Sequence, residues 1–174
     1  LAFMATHPGK QLLFMGQEFG QWDEWQEDKS LDWHLLQYDE HRQMQKLCRD
    51  LNHFYREHPQ LYVGDTTHEG FEWLECQDVD NSVYAFLRRD PAGELPALLC
   101  AFNFTPVPRD NYRLGTPQAG FWKKVFDSDA AKYGGADHNR QTTMETVPVA
   151  SQGRQQSITL DLPPLGFVAW RLEA

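Results

Sequence analysis

Val83-Tyr-Ala-Phe-Leu-Arg-Arg-Asp-Pro-Ala-Gly-Glu-Leu-Pro-Ala-Leu-Leu-Cys-Ala-Phe-Asn-Phe104 contains two apolar runs parted by a segment rich in Pro and Gly. Val83, Ala85 and Leu87 recur with a period of two, the spacing of side chains on one face of a strand, and Ala97 to Phe104 is a second run of strand length. Asp90-Pro-Ala-Gly93 between them is turn chemistry. The same pattern continues in both directions from Leu61 to the end of the chain. Phe71/Trp73/Glu75, Trp122 to Phe126, Ile158/Leu160/Leu162 and Phe167/Ala169 each read as a strand, and weaker candidates lie near Tyr112 and from Thr142 to Val149. Six to eight strands in about 113 residues, with no helical pattern between them, predict a mainly β chain ending in an antiparallel β-sandwich.

Upstream of that region the periodicity changes. Met44, Leu47, Cys48, Leu51, Phe54 and Tyr55 fall on one stripe of a helix running from Asp39 to His58, with Asp39 as a candidate N-cap and Pro59 as its stop. Lys10-Gln-Leu-Leu-Phe-Met15, bounded by Pro8-Gly9 and Gly16, reads as a buried strand. Between strand and helix, residues 16 to 32 have neither period and carry Trp22, Trp25 and several carboxylates. A loop of that length is uncommon unless functional or disordered. One strand, one loop and one or two helices cannot bury their own faces, because a lone strand needs sheet neighbours. Residues 1–58 are therefore expected to be the end of an incomplete β/α architecture and residues 59–174 the all-β domain.

Composition narrows the function classes. The 174 residues carry 16 Lys and Arg against 25 Asp and Glu, a net charge of −9, with no basic block. That argues against a nucleic-acid binder or a protein held on anionic lipid. No apolar stretch approaches the length of a membrane span, and the mean hydropathy is −0.63. The 3 cysteines are odd in number and lack a CxxC spacing, so a reduced, cytoplasmic setting is expected. The start at Leu1, with neither an initiator Met nor a leader pattern, reads as a cut inside a longer protein.

The candidate site residues cluster in the loop. Trp22, Trp25 and Trp33 offer flat indoles, suited either to the apolar face of a sugar ring or to fastening the loop onto its support. Trp22 and Trp25 are taken as substrate-binding candidates and Trp33 as structural. Glu18, just past the expected strand, is either a rim carboxylate or a structural acid paired with an Arg. His34, His41, His53 and His58 lack metal-ligand spacing and read as solvated helix histidines. Ser151-Gln-Gly-Arg154 lacks the GxSxG pattern and reads as a turn. Trp73, Trp122 and Trp170 read as core, with a sugar-docking face on the sandwich as the alternative.

Pro8-Gly-Lys-Gln-Leu-Leu-Phe-Met-Gly-Gln-Glu-Phe-Gly-Gln21, Glu24-Trp25, Ser30-Leu-Asp-Trp-His-Leu-Leu36, Asn103-Phe-Thr-Pro-Val-Pro-Arg109 and Leu162-Pro-Pro-Leu165 carry a resemblance. Together they resemble the C-terminal part of bacterial 1,4-α-glucan (glycogen) branching enzymes of the α-amylase superfamily. The resemblance implies that residues 10 to 15 are the eighth strand of a (β/α)8 barrel, that 16 to 33 follow it as a loop, and that a C-terminal β-sandwich completes the chain. It implies an enzyme that cleaves an α-1,4 bond, holds the glucan segment as an ester on an aspartate and passes it to a 6-hydroxyl, without metal or organic cofactor. The implied partners are α-glucan and the preceding part of the same enzyme. The family's catalytic carboxylates lie upstream, one of them in a His-Asp motif. No His-Asp dipeptide occurs here, so no catalytic residue is assigned. The alternatives are a stand-alone carbohydrate-binding or purely structural sandwich, or part of a related amylolytic hydrolase.

Overall fold

A computed structural model describes residues 1–173. Eight strands form, all paired antiparallel: β1 (Phe71–Asp78), β2 (Val83–Arg88), β3 (Leu98–Asn103), β4 (Arg109–Thr116), β5 (Phe121–Asp127), β6 (Thr143–Glu145), β7 (Gln156–Leu162) and β8 (Phe167–Glu173). They make a six-stranded sheet in the order β1-β2-β3-β8-β5-β6 and a two-stranded sheet β4-β7. The weaker candidate near Tyr112 is strand β4, and of the one from Thr142 to Val149 only Thr143–Glu145 forms a strand, β6. Ser151 and Arg154 exchange backbone hydrogen bonds of 3.0 and 2.9 Å, so Ser151-Gln-Gly-Arg154 is the expected turn.

The large sheet is buried on both faces. Ala85, Leu87, Leu99, Ala101, Val168, Trp170 and Trp122 point toward Leu114, Ile158, Leu160 and Leu162 of the small sheet. Phe86, Leu98, Cys100, Phe102, Phe126, Phe167 and Ala169 point the other way, onto Ala5, Leu51, Phe54 and Leu61. Residues 98–103 are all buried, the reason their apolar run shows no alternation. Burial pushes the Cys100 thiol up to about 12.

The helical layer comprises α1 (Ala2–Thr6) and α2 (Asp39–Glu57). α2 buries Cys48, Leu51 and Phe54, as its stripe predicts. It stops where His58 adopts φ −119°, ψ 83° ahead of Pro59. The cap differs from expectation. Tyr38 holds the N-cap position without a side-chain bond. Asp39 is the first helical residue and pairs with Arg42, whose guanidinium also donates to the carbonyls of Leu36 (3.0 Å) and Gln37 (2.7 Å).

Three other expectations fail. Residues 10–15 form no strand, and Leu12 is 76% and Phe14 52% exposed. Among the described residues no strand lies alongside to complete their backbone hydrogen bonds. Two of the four histidines are buried: the His41 ring donates from Nδ1 to the Phe19 carbonyl at 2.8 Å, and the His58 ring to that of Phe54 at 2.9 Å. Burial pushes the His58 imidazole below its ordinary pKa. Trp122 and Trp170 are in the core, but Trp73 is 37% exposed, because it sits on the edge strand β1 where the helical layer does not cover it.

Helix and sandwich are joined by a charged latch. Asp50 of α2 accepts from the Tyr133 hydroxyl (2.6 Å), from Lys46 (3.0 Å) and from Lys132 (3.2 Å). Partial burial works to raise its pKa, yet these three donors outweigh it and hold the carboxyl at about 2. The unfolded value is about 3.9. A depressed folded value means that the stabilisation is present above pH 4 and is lost as pH falls toward 2. Asp50→Asn should therefore cost about 1–2 kcal/mol at pH 7. Urea unfolding of the two proteins should converge as pH approaches 2. A gap that stays constant with pH would exclude the charged latch.

Candidate functional site

The loop from Gly16 to Asp32 is built on a left-handed turn. Gly16 has φ 89°, and a Cβ there would lie 2.8 Å from that of Gln21. Its carbonyl accepts from the Gln21 amide at 2.9 Å, and its N–H donates to Glu18 Oε2 at 3.1 Å. Glu18 thus closes the turn that introduces the loop, and among the described residues it makes no ion pair with an Arg. It also borders a shallow hollow of about 340 Å³ shared with Cys48, Arg49 and His53 of α2.

Phe19 anchors the loop. It is fully buried, its carbonyl is held by His41, and its ring lies 5.0 Å from that of Trp33. Trp33 is nevertheless 49% exposed, so it braces Phe19 with part of its ring and presents the rest to solvent, where a purely structural part would have buried it. Gln21 spans the loop from inside: its Oε1 accepts from the Asp32 amide and its Nε2 donates to the Asp23 carbonyl, both at 2.9 Å. Lys29 pairs with Asp23 at 3.1 Å across the outside.

On this frame the two candidate indoles face solvent. Trp22 is 75% exposed, nearly parallel to the Tyr38 ring at 6.4 Å and edge-on to His41 at 5.2 Å. Trp25 is 39% exposed and meets Phe14 edge-on at 5.8 Å. Both line one cleft of about 380 Å³ with Met15, Gln17, Asp23 and Glu24. Beyond Trp22 lies a second hollow of about 500 Å³, walled by Tyr38, Glu40, His41 and Met44. Trp22 is thus a ridge between two depressions, with apolar faces for stacking and exposed carboxylates for hydroxyl groups nearby. Tyr38 and His41 were not anticipated here. The signal available for them was a Tyr and a His flanking the start of a predicted helix, three residues apart. Among the described residues, no group of three or more His, Cys, Asp or Glu is placed to hold a metal ion.

A six-stranded and a two-stranded antiparallel sheet packed together, backed by α2, define the class of this chain as an all-β sandwich domain. A family described as "Alpha amylase, C-terminal all-beta domain" matches residues 73–173, and the chain belongs to it. Among curated relatives, the 1,4-alpha-glucan branching enzyme GlgB of Pseudomonas fluorescens (strain Pf0-1) is 52% identical over 99% of this chain. The enzyme of the same name from Rhodopirellula baltica is 46% identical over 99%. In each case the match spans only 23% of the relative's length. Among solved structures, the debranching enzyme from Nostoc punctiforme aligns with a TM-score of 0.63 at 17% identity, covering 98% of this chain and 29% of that one, a likeness of fold.

Proposed function

We propose that this chain is the C-terminal portion of a 1,4-α-glucan branching enzyme of cytoplasmic glycogen synthesis. Residues 1–58 are the end of its catalytic barrel and residues 59–174 its supporting sandwich. The observation that carries the reading is the identity of 46 to 52% across 99% of the chain with enzymes of that name. In this reading the exposed apolar edge of residues 12–15 joins the barrel sheet, and the catalytic carboxylates come from earlier strands. The enzyme cleaves an α-1,4 bond with retention through two carboxyl groups about 5 Å apart. It passes the glucan segment to a 6-hydroxyl. The part played by this chain is to bind glucan: Trp22 and Trp25 stack on sugar faces beside the active-site rim. On the sandwich, Trp73 is the one indole among the described residues with appreciable exposure, short of the row that a separate glucan-gripping face would need.

Trp22→Ala in the intact enzyme should raise KM for amylose about tenfold, equivalent to about 1.4 kcal/mol, and leave kcat within about twofold. Branching followed by the loss of the amylose–iodine colour measures both. Branch formation by the isolated 174 residues would overturn the assignment of the catalytic carboxylates to earlier strands. An unchanged KM for both Trp22→Ala and Trp25→Ala would remove the loop from the glucan site.

A further inference from the structure

We infer that Arg88 is a positioning residue for the tryptophan loop, acting from inside the sandwich. Arg88 ends β2 and is fully buried. Its guanidinium reaches three separate parts of the chain. Nη1 donates to the Thr6 carbonyl at the end of α1 (2.7 Å), Nε to the Gly70 carbonyl (3.3 Å), and Nη2 pairs with the Asp65 carboxylate. The other oxygen of Asp65 accepts from the Gly9 amide at 3.4 Å. Residues 6 and 9 are thus held on either side of Pro8, and the segment leading to Trp22 and Trp25 leaves from that corner.

A planar fork with fixed donor directions sets orientation as well as charge. A role limited to balancing Asp65 would be served by any cation, whereas three acceptors approached from different sides define where the loop root stands relative to the sheet. The loop is pinned a second time at Phe19 by His41 of α2, itself packed on the sheet. Between these two pins residues 12–15 are exposed and held within this chain by local contacts, Leu12 N–H to Met4 Sδ and Phe14 N–H to Gln17 Oε1, to which the barrel sheet of the function proposed above would add its own. The sandwich and α2 therefore hold both ends of the segment that leads to the indole ridge from below. The effect on glucan rests on the function proposed above; the effect on the loop does not.

Two variants of the intact enzyme test this, read by amide hydrogen exchange and by steady-state kinetics. Arg88→Lys keeps the charge but not the fork. Asp65→Asn keeps the fork's contacts to the Thr6 and Gly70 carbonyls and takes the charge out of both Asp65 contacts, to Arg88 Nη2 and to the Gly9 amide. Exchange in residues 8–33 should rise about tenfold in the first and about threefold in the second, with β3 and β8 unchanged. KM for amylose should rise about fivefold in Arg88→Lys with kcat within about twofold. Unchanged loop exchange in both variants overturns the inference. Faster loop exchange with an unchanged KM supports the positioning role but refutes glucan contact by the loop. If Arg88→Lys loses protection throughout, Asp65→Asn decides: selective loosening of residues 8–33 supports the inference, and its absence overturns it.

Discussion

Trp170→Ala should lower the unfolding free energy by about 3–5 kcal/mol, the range for removing a large buried aromatic. Trp170 is fully buried on β8, paired with Leu99 of β3 on one side and Lys124 of β5 on the other. Its ring shares the cluster between the two sheets with Trp122, Leu114, Ile158 and Leu160. Strands on both sides are tied into the backbone ladder, so they cannot close over the space left by an indole, and the neighbours lose their contacts outright. Urea unfolding should show a lower midpoint with an unchanged slope. The melting temperature should fall by about 10 °C for a chain of this size. A loss under about 1 kcal/mol would mean that the small sheet collapses onto the large one, contrary to this packing.

The ease of reading β8 and β3 from sequence has the same origin as that prediction. Both strands are covered on two faces, so their apolar runs are long and bounded by turn residues. The stripe of α2 was equally legible, because one helical face meets the sheet and the other meets water. Reading failed where a residue's state depends on something several segments away. Residues 10–15 have the composition of a strand but no neighbour here to pair with. His41 and His58 look like surface residues until Phe19 and the last turn of α2 supply their carbonyl partners. Trp73 follows the strand period, yet period does not reveal that β1 is an edge the helices leave uncovered. Within the candidate site, Trp22 and Trp25 were visible as indoles in an aperiodic loop. The Tyr38 ring that faces Trp22 was signalled only by a Tyr and a His three residues apart at the start of the helix, and the Arg88–Asp65 link at the loop root joins residues of two separate segments and leaves no local pattern.

Gly70→Ala should be among the most damaging small substitutions, for a reason that concerns backbone approach. A Cβ at residue 70 would lie 2.3 Å from the Gly64 carbonyl oxygen and 2.6 Å from the Gly64 Cα. Both obstacles are main chain, so no side-chain rotation relieves them. The Gly70 carbonyl also accepts from the Arg89 amide at 3.0 Å and from Arg88 Nε at 3.3 Å, which prevents the residue from simply backing away. Separation must instead come from the segment holding Gly64 and Asp65, which would pull the carboxylate off Arg88 and Gly9. The expected loss is about 3 kcal/mol, at the upper end for overpacking. Loop exchange in residues 8–33 should accelerate as it does in Asp65→Asn. Gly93→Ala is the control: its φ of 72° disfavours a side chain, but nothing lies within 4 Å of the added Cβ. Strain alone should cost about 1 kcal/mol there, without any effect on the loop. Equal losses for the two variants would show that the approach of residues 64 and 70 is easily relaxed, and a Gly70→Ala protein with an unaltered loop would separate that contact from the placement of Asp65.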